Sequence, residues 1–185
     1  MRNILMIILV FGFIDSAIAD NNPMFGENDK NSIGLNIAQS TGPHDIRRLF
    51  WPPMWEFSPQ TFLMLNYAQP MKIMRMPSRM NISIMQNFAY ESCHGLSFFG
   101  IGASWDISLI DYRGFYFGVG IGPYYRDHWD RWVSSRFVFG GKVFIGKNIG
   151  EHWRGELYTL HFSNGDLTDR NIGFNFVGIG VNYGF

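Results

Sequence analysis

Near its C-terminal end the 185-residue chain reads Leu160-His161-Phe162-Ser163-Asn164. A histidine two positions from a serine can work as a base–nucleophile pair if the backbone is extended, because residues i and i+2 of a strand project to the same side. Imidazole would then take the Ser163 hydroxyl proton as general base, and the oxygen would attack an ester carbonyl. Asn164, next along, could offer its amide to the oxyanion that forms. The competing, unreactive use of such residues is hydrogen bonding to lipid headgroups. The remaining histidines, His44, His94, His128 and His152, fall in expected loops or turns and read as ordinary solvated side chains. Asp127-His128-Trp129-Asp130 could hold a cation, but no second cluster has ligand spacing, so a plain polar loop is favoured and neither a metal nor another cofactor is expected. Arg47 and Arg48 have the guanidinium geometry that suits phosphate, although surface charge alone would account for them.

The residues around these groups decide which setting they work in. Fifteen basic and fifteen acidic side chains cancel, which argues against nucleic acid as a partner. Only 16% of the chain is charged while 46% is hydrophobic and 21 residues are glycine. That is too few charges for an ordinary soluble domain and too much glycine and aromatic for a helical one. Residues 1–19 have the form of a secretory signal: Arg2, an apolar run from Ile4 to Ile14, then Ala17-Ile18-Ala19 as a cleavage site, leaving 20–185 as one mature domain. Cys93 is the single cysteine, which excludes an internal disulfide. It leaves pairing between chains, and with it a homodimer, open.

The mature chain alternates with a period of two, the mark of strands with unlike faces. Phe99, Ile101, Ala103, Trp105 and Ile107 interleave with Gly100, Gly102, Ser104, Asp106 and Ser108; Val177, Ile179, Val181, Tyr183 and Phe185 interleave with Gly178, Gly180, Asn182 and Gly184. Strands are expected near 31–40, 61–74, 79–91, 96–109, 114–125, 135–146, 151–163 and 172–185. The face opposite the greasy one is small and polar, with few charges. Such side chains suit the crowded lumen of a narrow barrel, while a continuous apolar outer face with aromatics near its ends suits lipid. The expected fold is therefore all-β: an eight-stranded antiparallel transmembrane β-barrel, closed so that no sheet edge is left unpaired, with a filled lumen. Segments 75–78, 110–113 and 147–150 are tight and 41–60, 126–134 and 164–171 longer, which assigns the first set to the periplasmic end and the second to the outside. By parity His161, Ser163 and Asn175 face outward, whereas Asp106, Lys142, Arg154 and Glu156 face the lumen and are expected to pair there. Trp51, Trp55, Trp129 and Trp132 are expected to anchor loops at the interface.

His161-Phe162-Ser163-Asn164, followed by Asn171-x-Gly173 and a final strand running to the C-terminus, resembles the lipid A 3-O-deacylase (PagL-like) family of outer-membrane esterases. The specific likeness covers about the last 25 residues, and the signal and eight-strand plan extend it loosely over the chain. The resemblance implies His161 as base, Ser163 as nucleophile, Asn164 near the oxyanion site, and lipid A of lipopolysaccharide in the bacterial outer membrane as substrate. The best-known family members carry a glutamate where this chain has Asn175, fourteen residues after the histidine, and asparagine also occurs there among relatives. An asparagine carbonyl can accept the ring N–H but cannot neutralise an imidazolium. Asp166 and Asp169 are alternative sources of a carboxylate. Two other functions fit the same barrel: a non-enzymatic protein of adhesin or membrane-stabilising type, and a lipid A acyltransferase.

Overall fold

The computed structural model describes residues 30–89 and 97–185. The expected signal segment, Cys93 and His94 lie outside these residues. Eight strands follow in order: β1 Ser32–Gly42, β2 Gln60–Ile73, β3 Met76–Ala89, β4 Phe98–Tyr112, β5 Phe115–Arg126, β6 Phe137–Ile149, β7 Trp153–Ser163 and β8 Phe174–Gly184. Each pairs antiparallel with its neighbours in sequence, and β1 pairs with β8, closing the barrel. A short 3-10 helix, Ile46–Phe50, interrupts the long β1–β2 connection.

Alternation is what closes the sheet as a transmembrane barrel. Leu35, Ile84, Ile121, Leu157 and Ile179 all point away from the axis and are exposed, so the outer wall is a belt of large apolar side chains. Aromatics rim it at both ends: Tyr112, Phe115, Trp153 and Tyr183 by the short turns, and Phe88, Phe99, Tyr125 and Phe137 by the long loops. The β2–β3 and β4–β5 turns are tight because Met74, Arg75, Arg113 and Gly114 adopt positive φ, the left-handed geometry that matches strand twist in a two-residue hairpin.

The lumen holds the expected pairing of Asp106, Lys142 and Glu156 and departs from the expected small polar filling in its other half. Its half nearest the short turns holds a buried ionic cluster. Arg79 donates to Asp106 (2.8 Å) and Glu156 (3.0 Å), Lys142 donates to both carboxylates, and Tyr116 donates to Glu156 (2.9 Å). Arg79 was not among the expected members, although it shares parity with Asn81 and Ser83. Arg154, also expected to pair in the lumen, donates to Ser32 (2.6 Å). The half nearest the long loops is an aromatic plug of Phe62, Tyr124, Phe162, Phe174 and Phe176. Glycines on neighbouring strands give these rings their space: a methyl group at Gly140 would sit 2.5 Å from the Tyr124 ring. Small and large side chains therefore fill the lumen as complementary shapes, and the barrel is packed shut.

Candidate functional site

Strand β7 delivers His161 and Ser163 to the outer face at the long-loop end. The β7 register sets His161 opposite Gly141 of β6 on one side and Asn175 of β8 on the other. The imidazole Nδ1 lies 2.7 Å from Asn175 Oδ1. Which way round this amide sits follows from its other neighbours. Asn175 Nδ2 donates to the backbone carbonyls of His44 (3.2 Å) and Asp45 (3.3 Å). Turning the amide over would set its oxygen against two carbonyl oxygens and lose both bonds. The carbonyl must therefore face the ring, so Nδ1 carries the proton and Nε2 keeps its lone pair.

Those two carbonyls belong to the β1–β2 connection, which folds down over the outer wall. Asp45 caps its 3-10 turn through Arg47 N (2.6 Å), and a bulge between Ser40 and Gly42 brings β1 alongside Asn175. This strap leaves His161 only 7% exposed and Asn175 1% exposed, although both project from the lipid-facing side. A polar pair on that wall is thus shielded from hydrocarbon, which resolves the cost of placing it there. Sequence parity found His161 and Asn175 but could not find the strap, because its contribution is two backbone carbonyls with no side-chain signature.

The Asn171-x-Gly173 motif has two physical roles. Asn171 Oδ1 accepts from the Asn164 backbone N–H (2.8 Å), and Asn171 Nδ2 donates to Asp166 (2.8 Å), so it staples the β7–β8 loop. Gly173 has φ +77, and a methyl group there would lie 2.5 Å from His161 Cε1 and 3.1 Å from Nε2. Only glycine fits. Continuing the β7–β8 register by one step puts Gly173 beside Ser163, so the unbonded edge of the ring is directed to the level of the serine. Ser163 itself is half-buried opposite Phe139. Among the described residues no hydrogen bond joins its hydroxyl to the imidazole. Such bonds in unliganded sites commonly tighten only when substrate arrives.

Asn164 is placed differently from expectation. Its side-chain amide donates to Thr168 Oγ1 (2.5 Å) and Arg170 O (3.0 Å), and its oxygen accepts from Asp166 N. Both donors are spent inside the loop, where Asn164 is fully buried. Asp166 is engaged by Asn171, and the partner of the imidazole is Asn175. Asp130, in the tetrapeptide considered for a metal, binds Arg126 (2.6 Å) and the backbone N–H groups of Trp132 and Val133. It organises the loop, and no cluster of three or more potential ligands occurs among the described residues. Trp51 and Trp129 are exposed, as interface anchors would be, but Trp132 packs against the buried core at the mouth of the barrel.

Beside the strap a groove of about 460 Å³ is lined by Pro43, His44, Asp45, Arg47, Arg48, Met54 and Ile172. Arg47 pairs with Asp45 (3.2 Å), and Arg48 with Glu56 (3.2 Å). The groove abuts the site, since Asp45 contacts Asn175 and Ile172 precedes Gly173.

Residues 33–184 match the model of the family described as lipid A 3-O-deacylase (PagL). A comparison with curated proteins gave no match. Among solved structures, the outer membrane enzyme PagL superposes with a TM-score of 0.58 at 8% identity, covering 83% of this chain and 99% of that one. Neisserial surface protein A (NspA) superposes with a TM-score of 0.54 at 11% identity, covering 84% and 97%. At those identities the superpositions speak for the barrel alone.

Proposed function

This chain belongs to the lipid A 3-O-deacylase family, and on that premise we propose that it is an outer-membrane serine esterase that removes the ester-linked 3-O-acyl chain of lipid A. His161 Nε2 takes the Ser163 proton as Oγ attacks the ester carbonyl. The protonated imidazole then gives that proton to the departing lipid A hydroxyl, leaving the acyl group on Ser163. Water, deprotonated by the same nitrogen, hydrolyses the acyl-enzyme and releases the fatty acid. Asn175 holds the productive tautomer throughout. Because the Asn164 side chain gives its donors to the loop and the N–H groups of Asn164, Asp166 and Leu167 are engaged within it, oxyanion stabilisation falls to the backbone N–H of Gly165.

The observation that carries this reading is the 2.7 Å contact between imidazole and an amide whose orientation is fixed from behind, on the lipid-facing wall two residues from a serine. In an outer membrane with the long loops outside, that wall meets the outer leaflet, where lipopolysaccharide resides. Acyl chains reach Ser163 sideways from the bilayer, and the plugged lumen is no obstacle. Arg47 and Arg48, on the adjoining groove, are available to the phosphates of the headgroup.

The test is purified protein incubated with lipopolysaccharide, read by mass spectrometry of lipid A. Loss of one hydroxyacyl chain, abolished by Ser163→Ala, is expected. Gain of an acyl mass would indicate a transferase, and unchanged lipid A a barrel that works through its loops.

A further inference from the structure

The short-turn end of the barrel, opposite the site, carries its own charge pattern. Lys30, Lys72, Arg75, Arg113 and Lys147 are exposed there, and Glu151 is the exposed acid of that end among the described residues. Asp111 shares the lumenal side with its register partner, the buried Tyr116. Two of the cations stand together on the outer wall. Tyr112 and Phe115 are register partners across the β4–β5 hairpin, and Lys147 of β6 is the partner of Phe115 on its other side. Arg113 lies over the Tyr112 ring, 5.2 Å from its centroid, and Lys147 over the Phe115 ring, 4.4 Å from its centroid. Asn148 N donates to Gly114 O (2.8 Å), which ties β6 to the hairpin.

Directly opposed residues on paired strands stand about 5 Å apart, so the two rings hold two like charges side by side at the membrane edge. Ring faces attract a cation, but they leave most of the N–H groups of a guanidinium and an ammonium without an acceptor. Neither head group has a carboxylate partner among the described residues. The row that runs from Tyr112 through Phe115 to Lys147 continues to Gly155 of β7 and Val181 of β8. A methyl group at Gly155 would meet only Ile149 Cδ1, at 3.6 Å. Glycine weakens a strand and forfeits packing, so this uncrowded outward position leaves open wall beside the lysine.

We propose that the Arg113–Lys147 corner binds the phosphodiester of an anionic phospholipid of the periplasmic leaflet, with one acyl chain lying over Gly155. The phosphate supplies the missing acceptors: guanidinium takes two of its oxygens at once, and ammonium acts as a point charge. Its negative charge also offsets the repulsion between the two cations. A soluble anion would use the cations alone, whereas a lipid uses the cations, the two rings and the open wall. A zwitterionic headgroup would bring its own ammonium to a corner that already holds two positive charges, so a net-anionic lipid of the phosphatidylglycerol class is favoured. The proposal uses the orientation with the short turns in the periplasm and is independent of the esterase reading.

The experiment offers folded full-length protein in detergent an equimolar mixture of phosphatidylglycerol and phosphatidylethanolamine and reads the retained lipids by native mass spectrometry. Folding of each variant is checked by heat-modifiable electrophoretic mobility. One cation beside an anionic headgroup is worth roughly five-fold in binding. Wild type should therefore prefer phosphatidylglycerol by about twenty-five-fold, Arg113→Gln and Lys147→Gln each by about five-fold, and the double variant not at all. Arg131→Gln, which removes a cation from over Trp132 at the long-loop end, should match wild type. Photolabelling with a phosphatidylglycerol that carries a diazirine in its acyl chain should mark Trp153 and Leu157, the outward residues flanking Gly155, and Gly155→Leu should abolish that labelling while the headgroup preference stays. Equal retention of the two lipids by wild type, or a folded double variant that keeps the preference, would overturn the proposal. Inorganic phosphate that displaces the lipid better than chloride at equal ionic strength would assign the corner to a soluble anion and overturn it too. Deacylation of lipopolysaccharide by the same variants should equal that of wild type, so failure here leaves the esterase reading standing.

Discussion

Replacing Asn175 by aspartate is nearly isosteric, and simple triad logic expects a gain: a carboxylate would orient the imidazole and stabilise its protonated form, and an acid in that role can be worth about 10⁴ in rate. The geometry around Asn175 predicts the opposite sign. The atom that would become the second carboxylate oxygen now donates at 3.2 and 3.3 Å to the carbonyls of His44 and Asp45. Both hydrogen bonds would go, at about 1 kcal/mol net each. A charge in a side chain only 1% exposed would face two carbonyl oxygens. The bonds alone amount to about 2 kcal/mol, which unseats the strap by roughly thirty-fold, since 1.4 kcal/mol is a factor of ten. Repulsion adds to that. Asn175→Asp should therefore lower kcat/KM for lipid A deacylation by at least roughly thirty-fold in a folded barrel. Protease nicking within 43–56 should rise in parallel, because the same bonds hold the strap. A variant as fast as wild type, or faster, with the strap equally protected, would refute the idea that loop carbonyls select the amide.

Two further substitutions separate site from scaffold. Gly173→Ala puts a methyl group 2.5 Å from the imidazole at a backbone position with φ +77. Displacing the ring by about 1 Å should cost on the order of 10² in kcat, measured by initial rates, with heat-modifiable mobility retained; an unchanged kcat would mean the ring does not lie where it is described. Arg79→Met removes from Asp106 and Glu156 a cation that bonds both of them at the centre of the lumen, where Lys142 still donates to the two carboxylates. Breaking a buried ionic cluster from one side costs about 3–5 kcal/mol, so urea unfolding should move to clearly lower denaturant while activity per folded molecule stays the same. Equal stability would place the cluster outside the forces that hold the barrel.

Some of this was legible in the chain itself. Two-residue periodicity is a local property, so the eight strands, the outward side of His161, Ser163 and Asn175, and the inward side of Asp106, Lys142 and Glu156 follow from counting along it. The lengths of the connections likewise separate the two ends of the barrel. Parity also put Arg79 on the lumenal side, yet nothing local revealed that it would reach across to Glu156, 77 positions away. The aromatic plug was hidden for a related reason: Phe62, Tyr124, Phe162 and Phe176 meet only once the sheet is rolled, and the glycines beside them look like generic small residues until then.

The site divides in the same way. Sequence alone set which side chains share the outer face and which types could exchange a proton. Tertiary structure decided that Asn164 is bound into its own loop, that Gly173 is the bed of the imidazole, and that the carbonyls of His44 and Asp45 fix the Asn175 amide. The last of these depends on partners some 130 positions away in the chain, and those partners are backbone oxygens. Every residue carries one, so no pattern of letters can mark it; only the path of the folded strap brings it within hydrogen-bonding distance.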